Sequence, residues 1–132
     1  MAKKLFDTST LLHHWNRSGG NAPADKNVDD AKSWARELID LHTGIDAILT
    51  PVYLEVVVGA LSAQQLQLAR AFLQAFRIVD EGKILAEDWV EARRIAERVP
   101  RKPYRRQLGD CLIRAIANRL RYEVIAIDTR FP

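Results

Sequence analysis

Leu108-Gly109-Asp110-Cys111-Leu112-Ile113-Arg114-Ala115-Ile116-Ala117-Asn118-Arg119-Leu120 runs into Arg121-Tyr122-Glu123-Val124-Ile125-Ala126-Ile127-Asp128, and the hydrophobic period changes between the two. Leu108, Leu112, Ile116 and Leu120 recur at intervals of four, which predicts a helix with one apolar face. Tyr122 to Ile127 is short and β-branched, as a buried strand is, and Asp128 closes it. Asp110 opens the helix on its polar side, opposite Leu112. Arg119 falls near the apolar face, so it is expected to snorkel or to form an ion pair at the helix end.

Upstream, helices and short strands alternate, with no internal repeat. Glu87 to Val99 predicts a helix ended by Pro100 and Pro103, and Arg77-Ile78-Val79 a third strand. Ser62 is placed to cap a helix through Phe76, with Leu66, Ala69, Phe72, Leu73 and Phe76 on one stripe. Thr50 and Pro51 are placed as cap and first turn of a helix to Ala60. Asp46 to Thr50 precedes it as a second buried strand. Asp29 to His42 predicts a helix with Trp34, Leu38, Leu41 and His42 on one side, after a Gly- and Pro-rich loop over 17–23. Lys4-Leu5-Phe6 is a short first strand, stopped by the capping run Asp7-Thr8-Ser9-Thr10 ahead of a helix starting near Leu11. The order β-α-α-β-α-α-β-α-α-β, with short strands buried on both faces, argues for a parallel sheet covered by helices.

The chain has 132 residues, which suits one domain over 1–132. One cysteine, Cys111, excludes an internal disulfide framework and a cysteine-based metal site. No apolar stretch reaches membrane-spanning length and no secretory signal is visible, so the expectation is a cytoplasmic protein. The net charge of +3 divides unevenly. The 93–121 window holds ten basic and two acidic residues, a net +8 that leaves −5 for the rest. Such a window either attracts a polyanion or forms solvated, arginine-rich helix faces.

In an open parallel α/β sheet, chemistry gathers beyond the carboxyl ends of the strands. Asp7, Glu55, Asp110 and Asp128 all fall at or near such positions. Each alone has a structural reading: Asp7 as a helix cap, Asp110 as a first-turn acid, Glu55 as an exposed helix acid. Together they place four like charges at one cleft, a conflict that a hard divalent cation resolves. One cation can lower the pKa of water and a second can stabilise a leaving oxygen, which fits phosphodiester hydrolysis.

These residues also resemble a known family. Leu5-Phe6-Asp7-Thr8-Ser9-Thr10-Leu11-Leu12 is similar to the opening segment of PIN domains, in particular the VapC-like toxin ribonucleases. Leu49 to Ala60 resembles their Glu-bearing helix, with Glu55 as that acid. Gly109-Asp110-Cys111-Leu112-Ile113 with Ala115 and Ala117, and Val124 to Phe131, are similar to their last helix and strand end. The resemblance implies a three-layer α/β/α sandwich with a short central parallel sheet. It implies that Asp7, Glu55, Asp110 and Asp128 are catalytic and ligate Mg²⁺ or Mn²⁺, with Ser9 supporting Asp7 or the substrate. It further implies an endoribonuclease toxin that pairs as a homodimer and is silenced by a small antitoxin.

Two residues depart from the pattern: Ala126 stands where a Thr or Ser is usual, and Arg130 where many members carry another Asp. Relatives usually continue beyond this point into a fifth strand. The preferred RNA contacts are Arg101, Lys102, Arg105 and Arg106, which immediately precede Asp110, together with Arg130. A response-regulator receiver is disfavoured because Asp7 lacks a paired acid and no lysine follows Ile127. A catalytically weakened PIN-like RNA-binding or interaction module is the alternative, resting on Ala126 and the missing fifth acid. Among the remaining residues, His13-His14 is read as partly exposed helix surface and His42 as semi-buried. Cys111 is read as a packing residue, and Trp15, Trp34 and Trp89 as core or interface anchors.

Overall fold

A computed structural model describes residues 3–98 and 107–132 of the chain. Its elements follow the predicted order. Strand β1 is Lys3–Phe6 and is followed by helices α1, Thr8–Ser18, and α2, Val28–Leu41. Strand β2 is Ala47–Ile48, followed by α3, Thr50–Val58, and α4, Ala63–Leu73. Strand β3 is Arg77–Ile78, followed by α5, Ala86–Ala96, α6, Leu108–Leu120, and finally β4, Tyr122–Ile125. The architecture is a three-layer α/β/α sandwich around short parallel strands.

Pairing is parallel throughout, with β1 against β4 (Lys3 facing Tyr122, Phe6 facing Ile125) and β2 against β3. β1 also packs beside β2, but the two ladders are not joined by hydrogen bonds into one sheet. β1 is one residue longer than expected and the other strands are shorter: 46–50 yields a two-residue β2, the three-residue run at 77–79 a two-residue β3, and the last strand stops at Ile125. Burial on both faces holds for Ala47 and Ile48 and fails for Arg77 and Ile78, which are exposed. β3 lies at an open edge, where only its inner neighbour supplies ladder bonds.

Between the strands and helices lies one core that includes Leu5, Phe6, Leu11, Ile48, Leu49, Phe72, Ile113 and Ile116. Trp15 and Trp34 meet edge to face at 5.6 Å, and Trp15 meets Phe72 at 5.4 Å, so two of the three tryptophans anchor the core. Trp89 is half exposed. Gly20 closes against Trp15 so tightly that an added Cβ would lie 2.0 Å from the indole. His42 packs edge to face on Phe6 at 5.1 Å, and Cys111 is buried.

Several local expectations are corrected. α1 starts three residues early, because Asp7 rather than the following hydroxyls is its cap. Asn27, with Asp30, forms a capping box that starts α2, and Leu41 at its end points to solvent. Leu108 likewise lies outside the core, since the first turn of α6 projects past it. Ser62 caps α4 as expected, accepting from the Gln65 amide at 3.1 Å. Thr50 does not cap α3. It is the first helical residue, and the buried Asp80 carboxylate accepts from its amide at 3.1 Å and from its hydroxyl at 2.8 Å. The tertiary contact takes over the cap because Asp80, just beyond β3, lies beside the end of β2. Arg119 does pair: its Nε and Nη2 donate to buried Asp88 at 2.7 and 2.9 Å, joining α6 to α5.

Candidate active site

Asp7 leaves the end of β1 with its backbone amide still donating to the Ile125 carbonyl of β4 at 3.1 Å. This final ladder bond brings the ends of β1 and β4 together. The Asp7 side chain, 1% exposed, accepts from the Thr10 amide at 3.0 Å and so caps α1. Ser9 Oγ donates to Asp7 Oδ2 at 2.7 Å and accepts from the Asp128 amide at 3.3 Å, tying both strand ends together. Thr10 Oγ1 lies 2.8 Å from both Asp7 Oδ1 and the Ile125 carbonyl, which share its single proton. The structural reading of Asp7 as a cap is therefore correct. The same side chain also faces the other acids.

Glu55 arrives from α3. Its Oε1 accepts from Thr8 Oγ1, at the start of α1, at 2.9 Å. Its carboxylate lies against Gly109 in the first turn of α6. Burial raises the Glu55 pKa, the Thr8 hydrogen bond opposes this, and the Asp7 charge adds to the rise. Asp110 follows Gly109, and no donor among the described residues reaches its carboxylate. Burial together with the charges of Glu55, Asp7 and Asp128 pushes its pKa up to about 6, against a smaller opposing pull from Arg130. Asp110 thus feels the charges of the other three predicted acids, and Glu55 also feels that of Asp7.

Asp128 lies three residues beyond β4. Arg130 Nε and Nη2 each donate to its carboxylate at 2.9 Å, and the Arg130 amide adds a third bond at 2.9 Å. The Arg130 hydrogen bonds hold the Asp128 pKa below its usual range. Arg130 therefore rests on an acid of the cluster. The cleft offsets its negative charge with this guanidinium, the Thr8, Ser9 and Thr10 hydroxyls, and the N-termini of α1 and α6. Among the described residues, no three His, Cys, Asp or Glu side chains converge closely enough to grip one cation as they stand.

The basic window is less uniform than its composition. Arg93 pairs with Glu97, Arg94 with Glu91 and Arg119 with Asp88, and Arg114 is partly buried over the Phe131 ring. Arg101, Lys102, Arg105 and Arg106 lie outside the described residues. His14 is half-buried beside Glu37 on α2, and burial lowers its pKa. Thr8, Thr10 and Gly109 were not singled out in the sequence as parts of the site. The signals were a threonine on each side of Ser9 at a strand end, and a glycine within a helix next to an acid.

Fold and cleft together define the class: an α/β sandwich that brings carboxylates to one end of its parallel strands, an all-oxygen environment suited to hard cations. The PIN domain family matches residues 4–132, and the chain belongs to that family. PIN domains are generally metal-dependent nucleases. No curated protein and no solved structure matches the chain. Among the described residues, no helix is long and apolar enough to cross a membrane.

Proposed function

We propose that the chain is an endoribonuclease that hydrolyses RNA phosphodiester bonds with Mg²⁺ or Mn²⁺, acting as the toxin of a type II toxin–antitoxin pair. One observation carries the nuclease reading: Asp110, without a donor among the described residues, is pushed to about 6 by burial, Glu55, Asp7 and Asp128. A hard cation beside these carboxylates removes that repulsion. The donor set fits the ion, because it consists of carboxylate oxygens without His or Cys. Asp7, Glu55, Asp110 and Asp128 would hold it.

When bound, the cation would supply Lewis-acid activation of water and charge stabilisation at the leaving oxygen. Asp7 is fixed by Ser9 and Thr10 and is the most deeply buried of the four acids. Glu55 and Asp110, whose ionised forms are disfavoured by burial and neighbouring acids, are the groups that a bound cation would relieve most. Arg101, Lys102, Arg105 and Arg106 would hold the RNA backbone, and Arg130 would exchange Asp128 for a substrate phosphate. A small antitoxin would silence the enzyme, and the working form would be a cytoplasmic homodimer.

A second reading, a PIN-like RNA-binding or interaction module without turnover, is favoured by Arg130 lying across both oxygens of Asp128. The experiment that separates the two mixes purified protein, stripped of any co-purifying partner, with RNA in Mn²⁺ or Mg²⁺. EDTA and Asp7→Asn serve as controls; Asn keeps the helix cap and removes the charge. Cleavage that needs the cation and Asp7 supports the nuclease. RNA binding without cleavage supports the module, and cleavage that survives both controls overturns the metal mechanism.

A further inference from the structure

From the contact of Gly109 with Glu55 we infer that Gly109 is a positioning residue, present because only a side chain of hydrogen leaves room for the Glu55 carboxylate at the mouth of α6. A Cβ at residue 109 would stand 2.8 Å from Glu55 Oε1 and 3.0 Å from both Cδ and Oε2. Those separations are too short for carbon against a carboxylate, so one side must give way. α6 is held by its packing on α5 and α3, and its first turn continues into buried Cys111 and Leu112. The Glu55 side chain is the movable partner, and solvent is open to it.

Thr8 completes the device. Its hydroxyl, on the first residue of α1, holds Glu55 Oε1 at 2.9 Å. The carboxylate is thereby fixed between a donor on α1 and bare backbone on α6, while its own helix is α3. Three elements meet at this one group, and any Cβ on α6 at residue 109 would push the carboxylate from its place.

Glycine is also the wrong residue for the helix by propensity. Gly109 lies in the first turn of α6 with nothing in its backbone that calls for a left-handed conformation. Alanine there would favour the helix. A residue that weakens its own helix and touches a cleft acid is explained by the acid.

The inference rests on the cation-dependent reading above, and its test separates the two. Wild type, Asp7→Asn, Gly109→Ala, Glu55→Ala and the Gly109→Ala/Glu55→Ala double variant are compared by thermal melting and by Mn²⁺ calorimetry without RNA. Gly109→Ala is expected to melt at or above the wild-type temperature yet bind Mn²⁺ about tenfold or more weakly, the usual scale for misplacing a ligand's support. In the Glu55→Ala background, adding Gly109→Ala is expected to change Mn²⁺ affinity no further. Thr8→Ser keeps the hydroxyl and is expected to bind Mn²⁺ as wild type does, whereas Thr8→Val weakens it.

Wild-type affinity in Gly109→Ala overturns the inference while leaving the nuclease reading intact. So does an equal loss with and without Glu55, or a lowered melting temperature. If wild type and Asp7→Asn both fail to bind Mn²⁺, the cation-dependent reading falls and takes this inference with it.

Discussion

At the Asp110 carboxyl, burial and three neighbouring carboxylates act in one direction, and only Arg130 opposes them. A carboxyl whose native pKa is raised from 3.8 to about 6 holds its proton in the folded state after the unfolded chain has lost it. Native stability then falls as pH rises from about 4 to about 6 and levels off above. Asp110→Asn cannot ionise, so without divalent cation it is expected to be more stable than wild type at pH 7.5. The gain is about 1 kcal/mol once partial solvent exposure and the lost first-turn acid are allowed for. Urea unfolding at pH 7.5 and pH 4 checks this, with the difference closing at the lower pH. Cation binding requires the ionised form, so Mn²⁺ affinity measured by calorimetry is expected to rise between pH 5 and pH 7. Gly20 makes a separate residue-scale prediction. Gly20→Ala drives a methyl into the Trp15 indole, and the overpacking is expected to lower stability by about 2–3 kcal/mol in denaturant melts.

Helices α3 and α6 carry Glu55 and Asp110, and each is secured by a buried carboxylate from elsewhere in the chain. Asp80 holds the start of α3, so Asp80→Ala is expected to reduce stability by about 1–2 kcal/mol and fray the turn leading to Glu55. Asp88 holds the end of α6 through Arg119. Burial alone would raise the Asp88 pKa, but the Arg119 and Leu85 hydrogen bonds outweigh it, so the carboxyl stays ionised. Arg119→Leu strands that charge and is expected to cost about 3 kcal/mol, read by chemical unfolding. Helices α2, α4 and α6 were legible because their apolar stripes span several turns, and α3 because Thr50 and Pro51 mark its start. The Arg119 pairing was legible for the same reason: a charge on an apolar stripe needs a partner. That partner, and the one for Thr50, were not legible, because each lies about thirty residues away with no periodic signal linking the two. The two-residue strands blurred for want of length, and Arg77 and Ile78 were exposed because edge position cannot be read from composition.

Across the whole molecule, the small net charge conceals an acidic cleft and a basic window partly neutralised by acids within it and just before it. Arg93, Arg94 and Arg119 of that window are already in ion pairs and Arg114 is partly buried over the Phe131 ring, so the 101–106 segment is the expected main source of RNA affinity, with Arg98 and Arg121 the other basic residues of the window. RNA binding is expected to weaken with salt, and replacing Lys102, Arg105 and Arg106 by Ala should flatten the log–log salt slope by about 2, as three lost single-strand phosphate contacts would. Fluorescence anisotropy across a NaCl series measures it. The approach of Asp7, Glu55 and Asp128 to Asp110 could be expected because a parallel sheet sends strand ends to one side. The hydroxyls and the glycine that place them were not, since their meaning depends on contacts between elements. One of those contacts spans nearly the whole chain: Ser9 accepts from the Asp128 amide across 119 residues, and among the described residues β1 has β4 as its one ladder partner. A growing polypeptide therefore carries Asp7 and Glu55 long before it can assemble the cleft. Asp128 can join the other proposed ligands only once β4 has been made and has docked on β1, so the proposed site cannot form before residues 122–128 have emerged.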